Sequence, residues 1–411
     1  MIYKIVLLKN TIETMKKLLL STFVMLLLLT SCSALKTVKL MKSGEIEQEE
    51  FNVKIPFEYR LGMIILKVNI SGEEYDFILD TGAPNAISKE LAKKLELSNI
   101  FEQKVIDSQS EESKLGFVLI KKLGLGGLDF LNTGAVVADL KQSKEVGCLR
   151  IDGFIGSNLM RKAIWKFDYQ NQIITITNSI ESLSIPKLTS KIPFLTMITG
   201  TPIIDFTLND VTQKGVIVDL GSNGGISLSK KTYNTLMKNN PSIPQTYSFG
   251  ISGSGLYGLG KADSIYHIKA PSVSFGNVSL ENTIVSFANE VASTIGNQFF
   301  KNYDLVLNWF TKEILLINKT EYNNSTLSTF GFSCSNQENQ LIVSNIYKNM
   351  EEIKVGDQIL QVGKINYNKL LPEQWCEIVE NGLIKEKEEV KISILRDNKK
   401  LSFTLRKEKL L

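Results

Sequence analysis

One unit of this chain occurs twice, and that repeat limits the folds open to it. Ile64, Leu66, Val68 and Ile70 alternate as in a half-buried strand, and a turn leads into Phe77-Ile78-Leu79, which delivers Asp80-Thr81-Gly82-Ala83. The pattern returns with Ile203, Phe206 and Leu208, followed by Val216-Ile217-Val218 delivering Asp219-Leu220-Gly221-Ser222. Ile87-Ser88 and Ile226-Ser227 stand at the same offset from their aspartates, and each precedes a short helical pattern. Ser88 is placed to cap a helix carrying Leu91, Ala92 and Leu95; Ser229 is placed to cap one carrying Tyr233 and Leu236. Phe154-Ile155-Gly156-Ser157-Asn158 corresponds to Thr294-Ile295-Gly296-Asn297-Gln298, and each is trailed by an aromatic-rich strand pattern, Trp165-Lys166-Phe167-Asp168 and Leu307-Asn308-Trp309-Phe310. Two copies of one β lobe in one chain is the economical reading, joined near residues 182–200 with Pro186, Pro193 and Gly200.

Composition narrows the chemistry. His267 is the only histidine, so His-rich metal sites are excluded and any Ser-His-Asp or Cys-His mechanism would rest on that one imidazole. It lies in the alternating pattern Ser264–Lys269, which reads as a packing or surface position. Lys and Arg number 47 against 43 Asp and Glu, and four of the lysines lie in the first 31 residues, so the remainder is near neutral and carries no nucleic-acid footprint. Carboxylate chemistry is left, with no metal or cofactor required.

The two aspartate units resemble those of the retropepsin and pepsin-like aspartic proteases, over roughly residues 54–320. The resemblance implies a mainly β, two-lobed acid-protease-like β-barrel unit with lobe one at 54–185 and lobe two at 190–320. It implies Asp80 and Asp219 as a catalytic pair, supported by Thr81, Gly82 and Ala83 on one loop and Leu220, Gly221 and Ser222 on the other. Two carboxylates a few ångströms apart cannot both ionise, so they share a proton and titrate as a unit. One then acts as base on a water while its protonated partner polarises a peptide carbonyl. The polypeptide would be the substrate. The family places Thr or Ser after each aspartate; here Leu220 stands opposite Thr81, so Thr81 needs a backbone partner, since a buried unsatisfied hydroxyl costs about 1–3 kcal/mol. A noncatalytic peptide-binding protein with a degenerate second lobe is the alternative. Ala83 against Ser222 is a second asymmetry: a serine hydroxyl donated to its carboxylate would lower that pKa, or else it only satisfies a turn.

Between each aspartate loop and its later glycine segment the family carries a hairpin over the substrate. Residues 247–258 suit that role in lobe two, with Phe249, Gly250, Ser252, Gly253 and Tyr257 as flap residues. No Lys-Ser/Thr pair or helix start follows these glycines, which argues against a phosphate loop. In lobe one the equivalent stretch, 107–114, is polar and acidic and reads as a solvated loop or a flap favouring basic side chains.

Both ends carry further signals. Lys16 and Lys17 precede the apolar run Leu18–Leu29, and Leu29-Thr30-Ser31-Cys32 resembles a bacterial lipobox, implying a signal peptide over 1–31, lipidation at Cys32, a tether over 32–53 and a lipid-anchored place in the bacterial cell envelope. Cys148, Cys334 and Cys376 remain, and spacing does not decide whether Cys334 pairs with Cys376. Residues 326–407 resemble a PDZ domain, an α+β fold, through Val355-Gly356-Asp357-Gln358-Ile359-Leu360-Gln361-Val362-Gly363, the helix pattern Pro372–Val379 and the loop Phe330-Gly331-Phe332. That resemblance implies capture of a peptide C-terminus at Phe330, Gly331 and Phe332; a structural cap on lobe two is the alternative.

Overall fold

The computed structural model describes residues 35–411 except 107–111, 188, 252, 257, 290–291, 319–321, 349 and 385–386. The expected signal segment 1–31, Cys32, the acidic residues 107–111 and the expected flap residues Ser252 and Tyr257 lie outside the described residues. Among the described residues no helix is long and apolar enough to cross a membrane.

The fold is mainly β, and each repeat closes into a six-stranded ring. In lobe one the order is Leu128–Ala138, Ala86–Ser88, Gly153–Gly156, Glu73–Asp80, Met63–Ile70 and Glu112–Leu125, the last pairing back onto the first. Lobe two repeats it with Val278–Ala288, Ile226–Ser229, Thr294–Ile295, Val211–Val218, Pro202–Leu208 and Asp263–Phe275. The period-2 pattern explains which side chains go inside. Phe77 and Leu79 enter the barrel core with Ile64, Leu66 and Val68, whereas Ile78 packs on the outer face and Asp80 follows it there. Ser88 and Ser229 cap their helices, accepting from Leu91 N at 3.0 Å and Thr232 N at 3.3 Å.

The lobes share backbone as well as core. Ile164–Asp168 of lobe one pairs antiparallel with Tyr303–Asn308 of lobe two, Trp165 opposite Leu307, in a six-stranded sheet completed by Ile173–Thr177, Asn52–Pro56, Glu313–Asn318 and Ser190–Pro193. Matching strands of the two repeats thus meet each other. Trp165 is fully buried there and its Nε1 donates to Met160 O at 2.7 Å.

Residues 35–53, expected as a tether, are packed instead. Residues 35–42 are helical, Leu40 and Met41 are buried against lobe one, Glu45–Ile46 adds to its sheet, and Asn52–Pro56 forms an edge of the interlobe sheet. The reason is apolar burial: Leu40 and Met41 cover the outer face that includes Phe117 and Val136.

The C-terminal unit has its own core, containing Leu341, Val343, Ile359, Trp375, Ile392 and Ile394, under the strands Phe332–Gln337, Gln340–Tyr347, Gln358–Val362, Glu389–Arg396 and Lys399–Arg406 and the helix Pro372–Asn381. It is not an appendage. Gln340–Tyr347 pairs with Gln245–Gly250 of lobe two, Phe249 opposite Ile346. The disulfide question left open by spacing resolves as Cys148 with Cys376, joining lobe one to this unit, and Cys334 is a free thiol.

Because Trp165 anchors the shared sheet, Trp165→Ala is expected to lower unfolding stability by about 3–5 kcal/mol, read from urea denaturation followed by circular dichroism.

Candidate active site

Each aspartate ends a central strand of its barrel, and a parallel neighbour fixes its height. Gly156 lies in register with Asp80; Val218, one residue before Asp219, lies in register with Ile295. The loops after the aspartates are then pinned from behind. Asn85 Oδ1 accepts from Gly156 N and Asn158 Oδ1 from Asn85 N, both at 2.6 Å, while Ser157 N donates to Ala83 O at 2.9 Å. In lobe two Asn297 N donates to Ser222 O at 2.8 Å, the same bond one repeat later.

The two loops meet through their glycines. Gly82 N donates to its own Asp80 Oδ1 at 2.8 Å and Gly221 N to its own Asp219 Oδ1 at 2.9 Å. The need for glycine comes from across the boundary between lobes. A Cβ on Gly82 would stand 2.8 Å from Asp219 Cγ, and one on Gly221 would stand 2.3 Å from Asp80 Cγ. Each carboxyl therefore rests where the opposite loop has no side chain. Any larger residue at either position would drive the pair apart.

Thr81 supplies the lock between loops by itself. Its buried Oγ1 donates to Val218 O at 2.6 Å and accepts from Leu220 N at 2.9 Å, so both functions of the hydroxyl are used. Leu220 sends its side chain into the core, fully buried, and its carbonyl accepts from Asn297 Nδ2 at 2.6 Å. Tyr169 of lobe one donates to Asn297 Oδ1 at 2.8 Å. The missing second hydroxyl is thus replaced by backbone held at both ends. Asn297 and Tyr169 carry no motif of their own; the alignment of Asn297 with Ser157 between repeats was the one available signal.

The surroundings of the carboxyls differ. Asp80 Oδ1 accepts from two backbone groups, Gly82 N and Ala83 N, the latter at 3.0 Å, whereas Asp219 Oδ1 accepts from Gly221 N. Ser222 does not make up the difference: its hydroxyl accepts from Gly224 N at 3.2 Å and serves the turn. Burial raises both carboxyls, Asp80 to about 6 against the pull of its two amides, and Asp219 well above the usual range because the charge of Asp80 adds to burial. The two amides on Asp80 favour its ionised form, and the pair titrates as a unit.

Other expected site residues are placed as follows. Phe249 and Gly250 lie on the strand Gln245–Gly250, and beyond them Ser254–Gly255 pairs with Gly258–Leu259, with Gly253 O accepting from Gly260 N at 3.0 Å. This is a hairpin, as the flap reading requires, but its first strand is held on its outer edge by the C-terminal unit. His267 is buried, meets Ser286 Oγ through Nδ1 at 2.9 Å and stacks on Tyr347; burial lowers it to about 4, so it is neutral and far from the pair in role. Phe330 and Gly331 border a cavity of about 500 Å³ that also includes Met350, Leu405 and Arg406, whereas Phe332 is buried in the unit's core. The Gly331 N–H is taken by Thr329 Oγ1 at 3.1 Å and its carbonyl by Tyr347 N at 2.8 Å. Among the described residues no group of three or more His, Cys, Asp or Glu is placed to hold a metal.

A family model for aspartyl proteases matches residues 66–159, the stretch that runs from the strand before Asp80 to the segment behind it, and so identifies an aspartic protease-like domain. A search of curated proteins found no match.

Two outcomes follow from this geometry. Thr81→Val leaves Val218 O and Leu220 N unpaired in a buried seam and is expected to cost about 1–3 kcal/mol in urea unfolding. A carboxyl whose folded pKa lies above the unfolded value near 3.9 adds stability below that pH and loses it as pH rises through the folded value. Asp219→Asn is therefore expected to gain stability relative to the parent between pH 4 and 7, seen as a larger rise in urea midpoint at pH 7 than at pH 4.

Proposed function

We propose that this chain hydrolyses peptide bonds with a water activated between Asp80 and Asp219. The observation that carries the reading is the reciprocal seating of each carboxyl against the other loop's glycine, with one proton favoured between them. Asp80, ionised and steadied by two amides, takes a proton from the water as its oxygen attacks the peptide carbonyl carbon. Asp219 gives its proton to the carbonyl oxygen, producing a neutral tetrahedral diol. Collapse returns the diol proton to Asp219, the C–N bond breaks, and Asp80 passes its proton to the departing nitrogen. Leu220 does not count against this reading, because its N–H and carbonyl are both held by side chains.

The same proposal places the protein in the bacterial cell envelope, anchored by lipid at Cys32 and acting on polypeptides. The C-terminal unit serves the cleft as a structural cap. This reading is favoured over capture of a peptide C-terminus because the Gly331 amide is already bonded within its own loop.

Protein beginning at Ser33, incubated with a diverse peptide library from about pH 4 to 8.5 and read by mass spectrometry, is expected to give internal cleavages that rise as Asp80 ionises near pH 6. Asp80→Asn is expected to lose at least about 10²–10⁴-fold in rate. Intact peptides throughout, with retained peptide affinity, would favour the noncatalytic peptide-binding alternative.

A further inference from the structure

Two walls of the cleft belong to different lobes and end on the same body. In lobe one, the segment containing the helix Lys144–Leu149 leads into Gly153–Gly156, and its Leu149 and Ile151 pack with Ile78 and Phe154 on the outer face from which Asp80 projects. In lobe two, the hairpin beyond Gln245–Gly250 sends Leu256 onto that same face of lobe one. The hairpin therefore reaches from lobe two onto the lobe-one cluster that contains Ile78 and Phe154.

The C-terminal unit grips each wall separately. Its Gln340–Tyr347 strand extends the lobe-two strand, with Ile251 N donating to Ser344 O at 2.7 Å, Lys348 N to Tyr247 O at 2.9 Å, and Tyr347 stacked on His267. Its helix Pro372–Asn381 holds the lobe-one wall through Cys376–Cys148, and Cys148 sits within the unit's own core cluster with Trp375 and Ile378. Lys144 Nζ adds hydrogen bonds of 3.0 Å to Asn336 Oδ1 and Asn339 Oδ1. The two grips differ in kind. The lobe-two grip is a continuous backbone sheet, whereas the lobe-one grip joins residues 228 apart through one covalent bond, supplemented by the Lys144 hydrogen bonds and by Leu61 packed on the unit's core.

We propose that the C-terminal unit is a thiol-operated clasp: the Cys148–Cys376 disulfide holds the lobe-two hairpin closed over the Asp80–Asp219 cleft, and a dithiol reductant releases unit and hairpin from lobe one as one body. The inference rests on the reading that this cleft is where peptides are cut. A thiolate of the reductant attacks Sγ of Cys376, which is more exposed than Cys148; the S–S bond breaks and Cys148 leaves as a thiolate that takes up a proton. The reductant's second thiol then attacks the mixed disulfide and frees Cys376. Two electrons pass to the protein and the dithiol becomes a cyclic disulfide. Cys334 does not intercept the exchange, since burial pushes its thiol up to about 12 and leaves almost no thiolate at neutral pH. Once the bond is cut, the lobe-one wall loses the effective concentration it imposed on the remaining contacts of Lys144 and Leu61.

The test compares hydrogen exchange of the full protein from Ser33 with and without dithiothreitol, followed by cleavage assays. Exchange in residues 245–256 and 144–151 is expected to quicken at least tenfold on reduction, while Glu73–Asp80 and Ile164–Asp168 stay protected. The Cys148→Ser, Cys376→Ser double variant is expected to show the reduced pattern without reductant; should it fail to fold, the parent reduced and trapped with iodoacetamide supplies the same reading. Cleavage of a long unfolded polypeptide is expected to rise at least tenfold, and that of a short peptide by less. Unchanged exchange at 245–256 overturns the clasp, and so does loss of protection everywhere, which would make the disulfide a general staple. Opening seen by exchange with no cleavage in either state supports the clasp and sinks the hydrolytic reading alone.

Discussion

Two carboxyl groups brought together at the edge of a low-dielectric core repel once both are ionised, so their closeness has to be imposed by the rest of the molecule. Most of the architecture answers that constraint. The barrels place each aspartate at the end of a strand whose inward neighbours, Phe77 and Leu79 in lobe one, are anchored in core. The shared sheet, with Trp165 opposite Leu307, welds the barrels through backbone hydrogen bonds that no charge change at the cleft disturbs. Thr81 then ties the loops at the point of contact. Repulsion that remains is relieved by keeping one proton between the two carboxyls.

Much of this was legible in the sequence because it depends on local patterns repeated in order. The apolar strands, both aspartates, the serine caps and the glycine segments recur at matching offsets, and strand register follows from period-2 burial. The chain's need for a backbone partner at Thr81 was also readable, since Leu220 offers no hydroxyl. What lay hidden were relations between distant segments. Gly82 and Gly221 look like turn glycines, but the atoms that exclude a side chain belong to the opposite lobe. Asn297 and Tyr169 act as a pair only because the lobes are docked. Cys148 has no local feature that marks it as the partner of Cys376, and residues 35–53 read as linker because Leu40 and Met41 are too few to form a pattern.

The flap illustrates the same limit. Its glycines and aromatics were visible, and a hairpin over the substrate was the expectation. The strand Gln245–Gly250 instead has neighbours on both sides, Asp263–Phe275 within its lobe and Gln340–Tyr347 beyond it. An edge strand that would otherwise present unpaired amides is covered by a separate unit, which removes a site for unwanted strand addition.

The two barrels repeat one strand order, and among the described residues the C-terminal unit has no second copy to match that repeat. A cleft with equivalent walls would receive an extended chain in either orientation, N-terminus first or C-terminus first, with equal ease. A single body bonded to one wall of lobe one and one strand of lobe two removes that equivalence. On the proposed hydrolytic reading, the two directions in which a polypeptide could enter then differ, because one meets the unit and the other does not.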